Sequence, residues 1–298
     1  MLPALLARDR VEKEIIEQGR RHFEKHKVQE LQRQKQQGLG RPIISIDYKG
    51  YRFVAVGNKL HYGKWKSFPD FLAYYIKQTL GGGEWGNAEI AKPLAERHPL
   101  LQWYDKVCRL QAAHAKEPGA LFSTPMIGAV SAYNRLAYNL YLIAHNGKDI
   151  QTRLIARLKN KDNFQGAFFE TQVAAWLIKA GFELEFEDES DRQSKHCEFT
   201  ATYTATGEKY SVEAKSREIE STNTSRAKVG RKLYEALVKK ANHKRLIFLN
   251  LNKPLHTQEA AEIAMDRAER IVSRSEGLKI DGEPAPAAYV CITNMNDQ

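Results

Sequence analysis

The chain has 298 residues, which is enough for two ordinary domains or for one large domain with a helical extension. Its hydrophobic content of 42% and charged content of 28% exclude a fibrous or disordered chain. No apolar run approaches the roughly 20 residues that cross a bilayer, and the apolar N-terminal stretch is too short for a secretory signal. We therefore expect a cytoplasmic protein without a membrane partner. Its three cysteines are widely spaced, as reduced thiols would be: Cys108, Cys197 and Cys291.

The net charge of +10 is unevenly distributed along the chain. The first 150 residues carry 23 Lys and Arg against 14 Asp and Glu, whereas the remainder carries 23 against 22. Excess Lys and Arg favour a polyanionic partner such as nucleic acid, although simple solubility accounts for the charge equally well. If nucleic acid is bound, we expect the N-terminal half to supply most of the non-specific attraction.

The first 150 residues are predicted to form a basic, mainly helical accessory domain. Residues 8–37 indicate one long polar helix with a thin apolar stripe, either a solvated arm, a contact to nucleic acid, or an oligomerisation element that packs on another copy. Residues 42–63 alternate around Lys49-Gly50 and predict a small antiparallel β-hairpin with a third short strand. Helices are predicted over 67–79, over 87–116 with an interruption at Pro99, and over 128–145. The Gly81–Gly83 loop lacks the following Lys-Ser/Thr of a phosphate-binding loop.

The pattern of residues 151–298 differs and predicts an α/β sandwich with a mixed sheet. A helix capped by Asp162 or Asn163 runs to Ala180, and a strand follows over 182–189. The next elements are a hairpin over 196–215, a basic helix over 225–242 and an apolar strand over 246–251. A helix over 257–276 and a strand over 287–293 complete the predicted second domain.

The hairpin has one polar and one apolar face. If it closes on Thr206-Gly207, Glu198 lies opposite Lys215 and Thr200 lies opposite Glu213, all on one face because side chains alternate along a strand. The other face is apolar and suited to a core. A polar hairpin face is ordinary if it meets solvent, so its meaning depends on what covers it.

The preceding helix carries Glu170 inside an apolar stripe at spacings of three and four residues, so this carboxylate is expected to point toward the sheet. Glu170, Glu198 and Glu213 would then converge beside Lys215. Converging carboxylates repel one another unless they are protonated or neutralised by a cation, and oxygen ligands suit Mg²⁺ or Mn²⁺. A structural Glu-Lys ion pair is the alternative, but it explains only two of the four residues.

Over residues 160–252 the sequence resembles the PD-(D/E)XK nuclease superfamily, which has the restriction-endonuclease-like fold. The matching segments are QGAFFE with Glu170, HCEFTAT with Glu198, and YSVEAKSR with Glu213-Ala214-Lys215. The chain departs from the family pattern at Cys197-Glu198, where Pro-Asp is usual, so the carboxylate is displaced by about one carbon-carbon bond.

The resemblance implies hydrolysis of phosphodiester bonds by a Mg²⁺-dependent deoxyribonuclease in restriction or defence, with DNA favoured over RNA as the substrate. Glu198 and Glu213 would hold one or two divalent ions together with Glu170, and Lys215 would orient the attacking water and offset the charge that develops on phosphorus. The catalytic residues that the resemblance implies are therefore Glu170, Glu198, Glu213 and Lys215. His196 shares the face of Glu198 but is expected to have a structural or solvent-facing role.

The basic helix is expected to pack its apolar side on the sheet and turn its charges outward. Phosphate contacts and a solvated face are equally compatible with it; the candidate contacts are Arg226, Lys228, Arg231, Lys232 and Lys239. The loop 218–225 would lie next to the site. Two other classes stay open: a catalytically inactive nucleic-acid-binding or protein-binding module, and an assembly protein that oligomerises through its N-terminal helix.

Overall fold

The computed structural model describes residues 2–115, 117, 120–125, 128–147, 150–186, 197–217, 226–253 and 257–295, with backbone only for 2–16, 19 and 226–228. The predictions for His196, the loop 218–225 and the end of the strand 182–189 lie outside these residues. Within the described ranges, no helix combines the length and apolarity that a bilayer crossing requires.

The N-terminal half consists of a long helix, a small sheet and a helical layer. Helix α1 runs over Leu2–Gln37, and its described side chains are mostly exposed. The predicted hairpin with its third strand is confirmed as an antiparallel sheet of β1 (Ser45–Tyr48), β2 (Tyr51–Val56) and β3 (Lys59–Gly63). The helices that follow are α2 (Phe68–Thr79), α3 (Gly83–Ile90), a 3-10 turn (Leu94–Glu96), α4 (Pro99–His114) and α5 (Gly128–Asn146).

Several sequence signals account for these boundaries. Ser67 caps α2 in a reciprocal capping box with Asp70, whose backbone N–H and carboxylate both take part. Pro99 is the first residue of α4, where a missing N–H is tolerated. The predicted helix over 87–116 is therefore divided into α3 and α4, with a short 3-10 turn between them.

Two further helices connect the halves: α6 (Thr152–Lys159) and α7 (Phe164–Lys179). Leu154, Leu158, Phe164 and Phe168 from these helices are buried in the same cluster as the core residues of β2, α2, α4 and α5. The hydrophobic core of the N-terminal half thus includes side chains beyond residue 150. The two predicted domains therefore pack against each other through a common core.

The predicted mixed sheet is confirmed as a five-stranded sheet in the order β10-β7-β6-β5-β4. Its strands are β4 (Phe182–Phe186), β5 (Phe199–Tyr203), β6 (Lys209–Ser216), β7 (Lys244–Asn250) and β10 (Ala288–Thr293). Strands β4, β5 and β6 are antiparallel neighbours, and β7 and β10 run parallel to β6. A small hairpin of β8 (Lys279–Ile280) and β9 (Glu283–Pro284) precedes β10.

The predicted register of the β5–β6 hairpin is wrong by two residues. Phe199 pairs with Val212 and Thr200 with Ser211, so Thr200 does not lie opposite Glu213. The chain turns earlier, because the N–H of Gly207 donates to the carbonyl of Tyr203 and the turn ends before Lys209. A shift of two preserves the faces, so the predicted polar and apolar sides are confirmed.

Helices cover both faces of the sheet. On the apolar side, α7 packs against Phe199, Ala201, Val212 and Ala214. On the other side, α8 (Arg226–Leu237) and α9 (Gln258–Ser273) pack over Ile247, Leu249 and Leu251. The polar side chains Ser211 and Glu213 lie on this second side and are buried, which excludes a hairpin face open to bulk solvent.

Candidate active site

The carboxylates predicted as a site come from three neighbouring elements. Glu170 lies on α7, Glu198 immediately precedes β5, and Glu213 lies within β6 two residues before Lys215. The N–H of Glu198 donates to the carbonyl of Val212 over 2.9 Å, which places Glu198 beside Glu213 on the neighbouring strand. Glu170 is 3% exposed and Glu213 is 1% exposed. The structure thus brings the predicted residues to one buried location.

Basic side chains bridge these carboxylates. Lys215 Nζ lies 2.5 Å from Glu213 Oε1 and 3.9 Å from Glu198 Oε1. Lys239 Nζ lies 2.8 Å from Glu213 Oε1 and 3.2 Å from Glu198 Oε1. Both ammonium groups therefore lie between the same two carboxylate oxygens, where they offset the repulsion between them.

Arg157 connects the third carboxylate to the other two. Its Nη2 donates to Glu170, and its Nη1 donates to Glu198 Oε2 over 3.4 Å. Arg157 lies on α6, a helix that was not predicted, because the predicted helix began only at Asp162 or Asn163. The signal was present, since Leu154 and Leu158 at a spacing of four residues mark a buried side for this short helix.

Burial and neighbouring charges set the protonation of the cluster. Burial, followed by repulsion from Glu198, raises the pKa of Glu170 to about 8 despite the attraction of Arg157. Burial and Glu198 likewise raise the pKa of Glu213 against the attraction of Lys239 and Lys215. Burial also opposes ionisation of Glu198, but Lys239, Arg157 and Lys215 outweigh it and lower its pKa. Glu198 is therefore the carboxylate that stays ionised most readily.

The carboxylates of the cluster supply oxygen donors of the kind that hold hard divalent cations. Within the described ranges, no group of three or more His, Cys, Asp or Glu side chains is arranged to hold an ion. Two carboxylates do direct oxygens toward one cationic position, since Oε1 of Glu198 and Oε1 of Glu213 both face Lys239 Nζ. The Oε2 atom of Glu213 is buried and accepts no hydrogen bond from the described part of the chain. Glu198 and Glu213 thus have the donor chemistry of a hard cation site.

Comparisons with known protein families, curated proteins and solved structures found no match for this chain.

The residues predicted as nucleic-acid contacts on the basic helix do not share one environment. Arg231 is exposed and pairs with Glu235 over 2.8 Å, and Lys232 pairs with the same carboxylate over 3.6 Å. The side chains of Arg226 and Lys228 lie outside the described residues. Lys239 does not face outward as predicted, because α8 ends at Leu237 and the following turn directs this lysine into the carboxylate cluster.

Proposed function

We propose that this protein is a divalent-metal-dependent nuclease with the restriction-endonuclease-like fold, and that DNA is its substrate. The observation that carries the proposal is the pair of adjacent carboxylates, Glu198 and Glu213, directed at one cationic position inside a covered face of the sheet. The order of elements supports it: α7 with its Glu, three antiparallel strands, a helix and a parallel strand agree with the family resemblance.

In this proposal Glu198 and Glu213 hold Mg²⁺ or Mn²⁺, with Glu170 adjacent. The ion supplies Lewis-acid activation of water and neutralises charge on the phosphate. Lys239 Nζ lies close to both Oε1 atoms, at the position that the ion would take, so this side chain would have to move away for an ion to bind there.

The remaining basic groups position the reactants. Lys215, on the same strand as Glu213, orients the attacking water and offsets the negative charge that develops on phosphorus. Arg157 holds Glu170 and Glu198 in a fixed position relative to each other, which keeps the reacting groups correctly oriented. Water adds to phosphorus and an ester P–O bond breaks, so that the products are a phosphate monoester and a hydroxyl group.

A second candidate is a catalytically inactive module that retains the fold. It is favoured by one specific observation: three basic side chains, Arg157, Lys215 and Lys239, formally balance the three carboxylates without a metal. In that case the cluster only stabilises the fold, and nucleic acid or a second copy of the chain is bound elsewhere on the surface.

Cleavage of plasmid, oligodeoxynucleotide and RNA in Mg²⁺ and in Mn²⁺ distinguishes the two candidates. We expect the wild-type protein to cut DNA, EDTA to abolish cutting, and Glu213→Ala and Lys215→Ala to reduce it by at least about 100-fold, as the loss of a group that stabilises transition-state charge does. Activity that survives both substitutions would overturn the site. A protein that never cleaves but binds DNA with a steep salt dependence would support the inactive module.

A further inference from the structure

The small sheet of the N-terminal half has an unusual solvent-facing side. An antiparallel sheet with one face in water normally places apolar residues inward and polar residues outward. Here the inward side places Val54 and Val56 in the core with residues of α2 and α5, beside polar side chains such as His61. The outward side is apolar, and we call it the aromatic platform: Ile46, Tyr48, Tyr51, Phe53, Leu60 and Tyr62.

The platform is open to solvent. Tyr62 is 67% exposed and Tyr48 is 59% exposed, although large apolar side chains of this kind are usually covered when they are contiguous. The strand register makes them contiguous, since Phe53 pairs with Ile46 on one side and with Tyr62 on the other, and Tyr48 pairs with Tyr51. Ile46, Tyr48, Leu60 and Tyr62 are each more than half exposed, so this side is accessible to a partner of suitable chemistry.

Three of these rings lie next to one another. Phe53 and Tyr62 are stacked with centroids 5.8 Å apart, and Tyr51 meets Tyr62 edge to face at 6.3 Å. Flat aromatic faces at this density accept other planar rings by stacking, and this mode tolerates any base sequence. A duplex hides its base faces, so only unstacked bases can use such a surface.

The chain segment that carries the platform has a strong excess of positive charge. Residues 41–66 contain a single acidic residue, Asp47, which is held in a two-point ion pair by Arg52. Lys49 Nζ lies 5.2 Å above the ring of Tyr48, and Lys64 Nζ lies 5.9 Å from the ring of Tyr51. Lysines beside exposed rings place positive charge where the phosphates of a stacked strand would run.

We propose that the aromatic platform binds single-stranded nucleic acid, with bases stacked on Tyr51, Phe53 and Tyr62 and phosphates near Lys49 and Lys64. This site is separate from the carboxylate cluster and does not depend on cleavage. It gives the excess positive charge of the N-terminal half a location and a binding mode.

The test measures binding of fluorescein-labelled oligothymidylate and oligouridylate by fluorescence anisotropy, with full-length protein in EDTA so that no cleavage occurs. Tyr62→Leu and Tyr51→Leu keep the apolar character but remove a ring, and each should weaken binding by about 5- to 150-fold. Tyr62→Phe keeps the ring and should bind like the wild type. Tyr289→Leu removes an equally exposed tyrosine from β10 and is the matched control.

The contribution of charge is measured separately. Lys49 has a positive φ of 49°, so Lys49→Asn removes the charge while it retains a residue that tolerates this conformation. The slope of log binding constant against log salt should fall by about 0.7 for one lost phosphate contact. A duplex of mixed sequence should bind less tightly than the single strands, and equal affinity that is indifferent to Tyr62→Leu would overturn the proposal.

A second copy of the chain is the competing occupant, and the same variants test it. If sedimentation shows that the wild type self-associates, that Tyr62→Ser is monomeric, and that oligonucleotide binding is unchanged, the platform is a protein interface and the proposal fails. A protein that binds oligothymidylate through Tyr62 but never cleaves DNA would keep this inference and refute the proposed nuclease function.

Discussion

Replacement of Lys239 by Met perturbs the carboxylate cluster at its centre. The Lys239 side chain is 17% exposed, and its Nζ lies 2.8 Å from Glu213 Oε1 and 3.2 Å from Glu198 Oε1. Methionine retains most of the aliphatic stem but removes the charge, which leaves the buried Glu213 with Lys215 as its remaining cation. Removal of one partner from a buried ion pair destabilises a protein by about 3–5 kcal/mol. Because Lys215 remains in contact, we expect the lower end of that range, about 3 kcal/mol.

Urea unfolding at neutral pH in EDTA, followed by circular dichroism, measures this loss. The matched control is Lys244→Met, which removes the lysine of an exposed ion pair with Glu208 on the same sheet. Exposed pairs contribute little, so the control should lose far less stability than Lys239→Met. Equal losses would refute the view that Lys239 belongs to a buried charge cluster.

The same pair of variants reports on the metal position. If Lys239 occupies the place of a divalent ion, its removal opens that place, and Mg²⁺ or Mn²⁺ should raise the melting temperature of Lys239→Met more than that of the wild type. Lys244→Met should respond to the ions as the wild type does. Identical responses of all three proteins would contradict a cation position between Glu198 and Glu213.

Three further predictions concern the rest of the fold. Arg157→Leu should cost about 1–3 kcal/mol, because it leaves the buried Glu170 carboxyl without its hydrogen-bond donor, and the double variant Arg157→Leu/Glu170→Leu should recover much of that loss in urea unfolding. Burial lowers the pKa of His98 to about 4 from an ordinary value near 6.5, so the unfolded chain takes up a proton between these pH values and the folded one does not. Stability should therefore fall by roughly 3 kcal/mol from pH 6.5 to pH 4, and unfolding of His98→Asn measured over the same range should show a flatter dependence. Gly181→Ala should lower stability by about 1–2 kcal/mol, because Gly181 has a φ of 87° and an added Cβ would lie 3.1 Å from Leu39. An unchanged unfolding midpoint would contradict this prediction.

The faces of the β5–β6 hairpin could be predicted from the sequence, but its register could not. Alternation with a period of two depends only on side-chain direction, so Glu198 and Glu213 were assigned correctly to one side, opposite Phe199 and Val212. Register depends on where the turn closes. The turn, in which Gly207 has a φ of 73°, is centred one residue earlier in the chain than the predicted centre at Thr206-Gly207. Both registers keep the same faces, so hydrophobic patterning alone does not separate them.

The positions of Arg157 and Lys239 in the carboxylate cluster could not be predicted from the sequence, for a physical reason. Arg157 reaches Glu170 from a different helix, and such a contact has no signature in local periodicity. Lys239 was assigned to the outer face because the helical pattern was extended beyond Leu237, where the chain leaves the helix and turns inward. The burial of Glu170 was predicted correctly because its own helix carried the signal, as a lone carboxylate inside an apolar stripe.

The most direct test of the metal-dependent nuclease is the rate of DNA cleavage as a function of Mg²⁺ concentration, measured for the wild type, Glu213→Gln and Glu208→Gln. Glu208 is an exposed glutamate on the same hairpin and provides the matched control. We predict a rate that rises with Mg²⁺ and saturates for the wild type and Glu208→Gln, and no cleavage at any Mg²⁺ concentration for Glu213→Gln. Cleavage by Glu213→Gln at the wild-type rate, or cleavage by the wild type that is indifferent to Mg²⁺, would contradict the account.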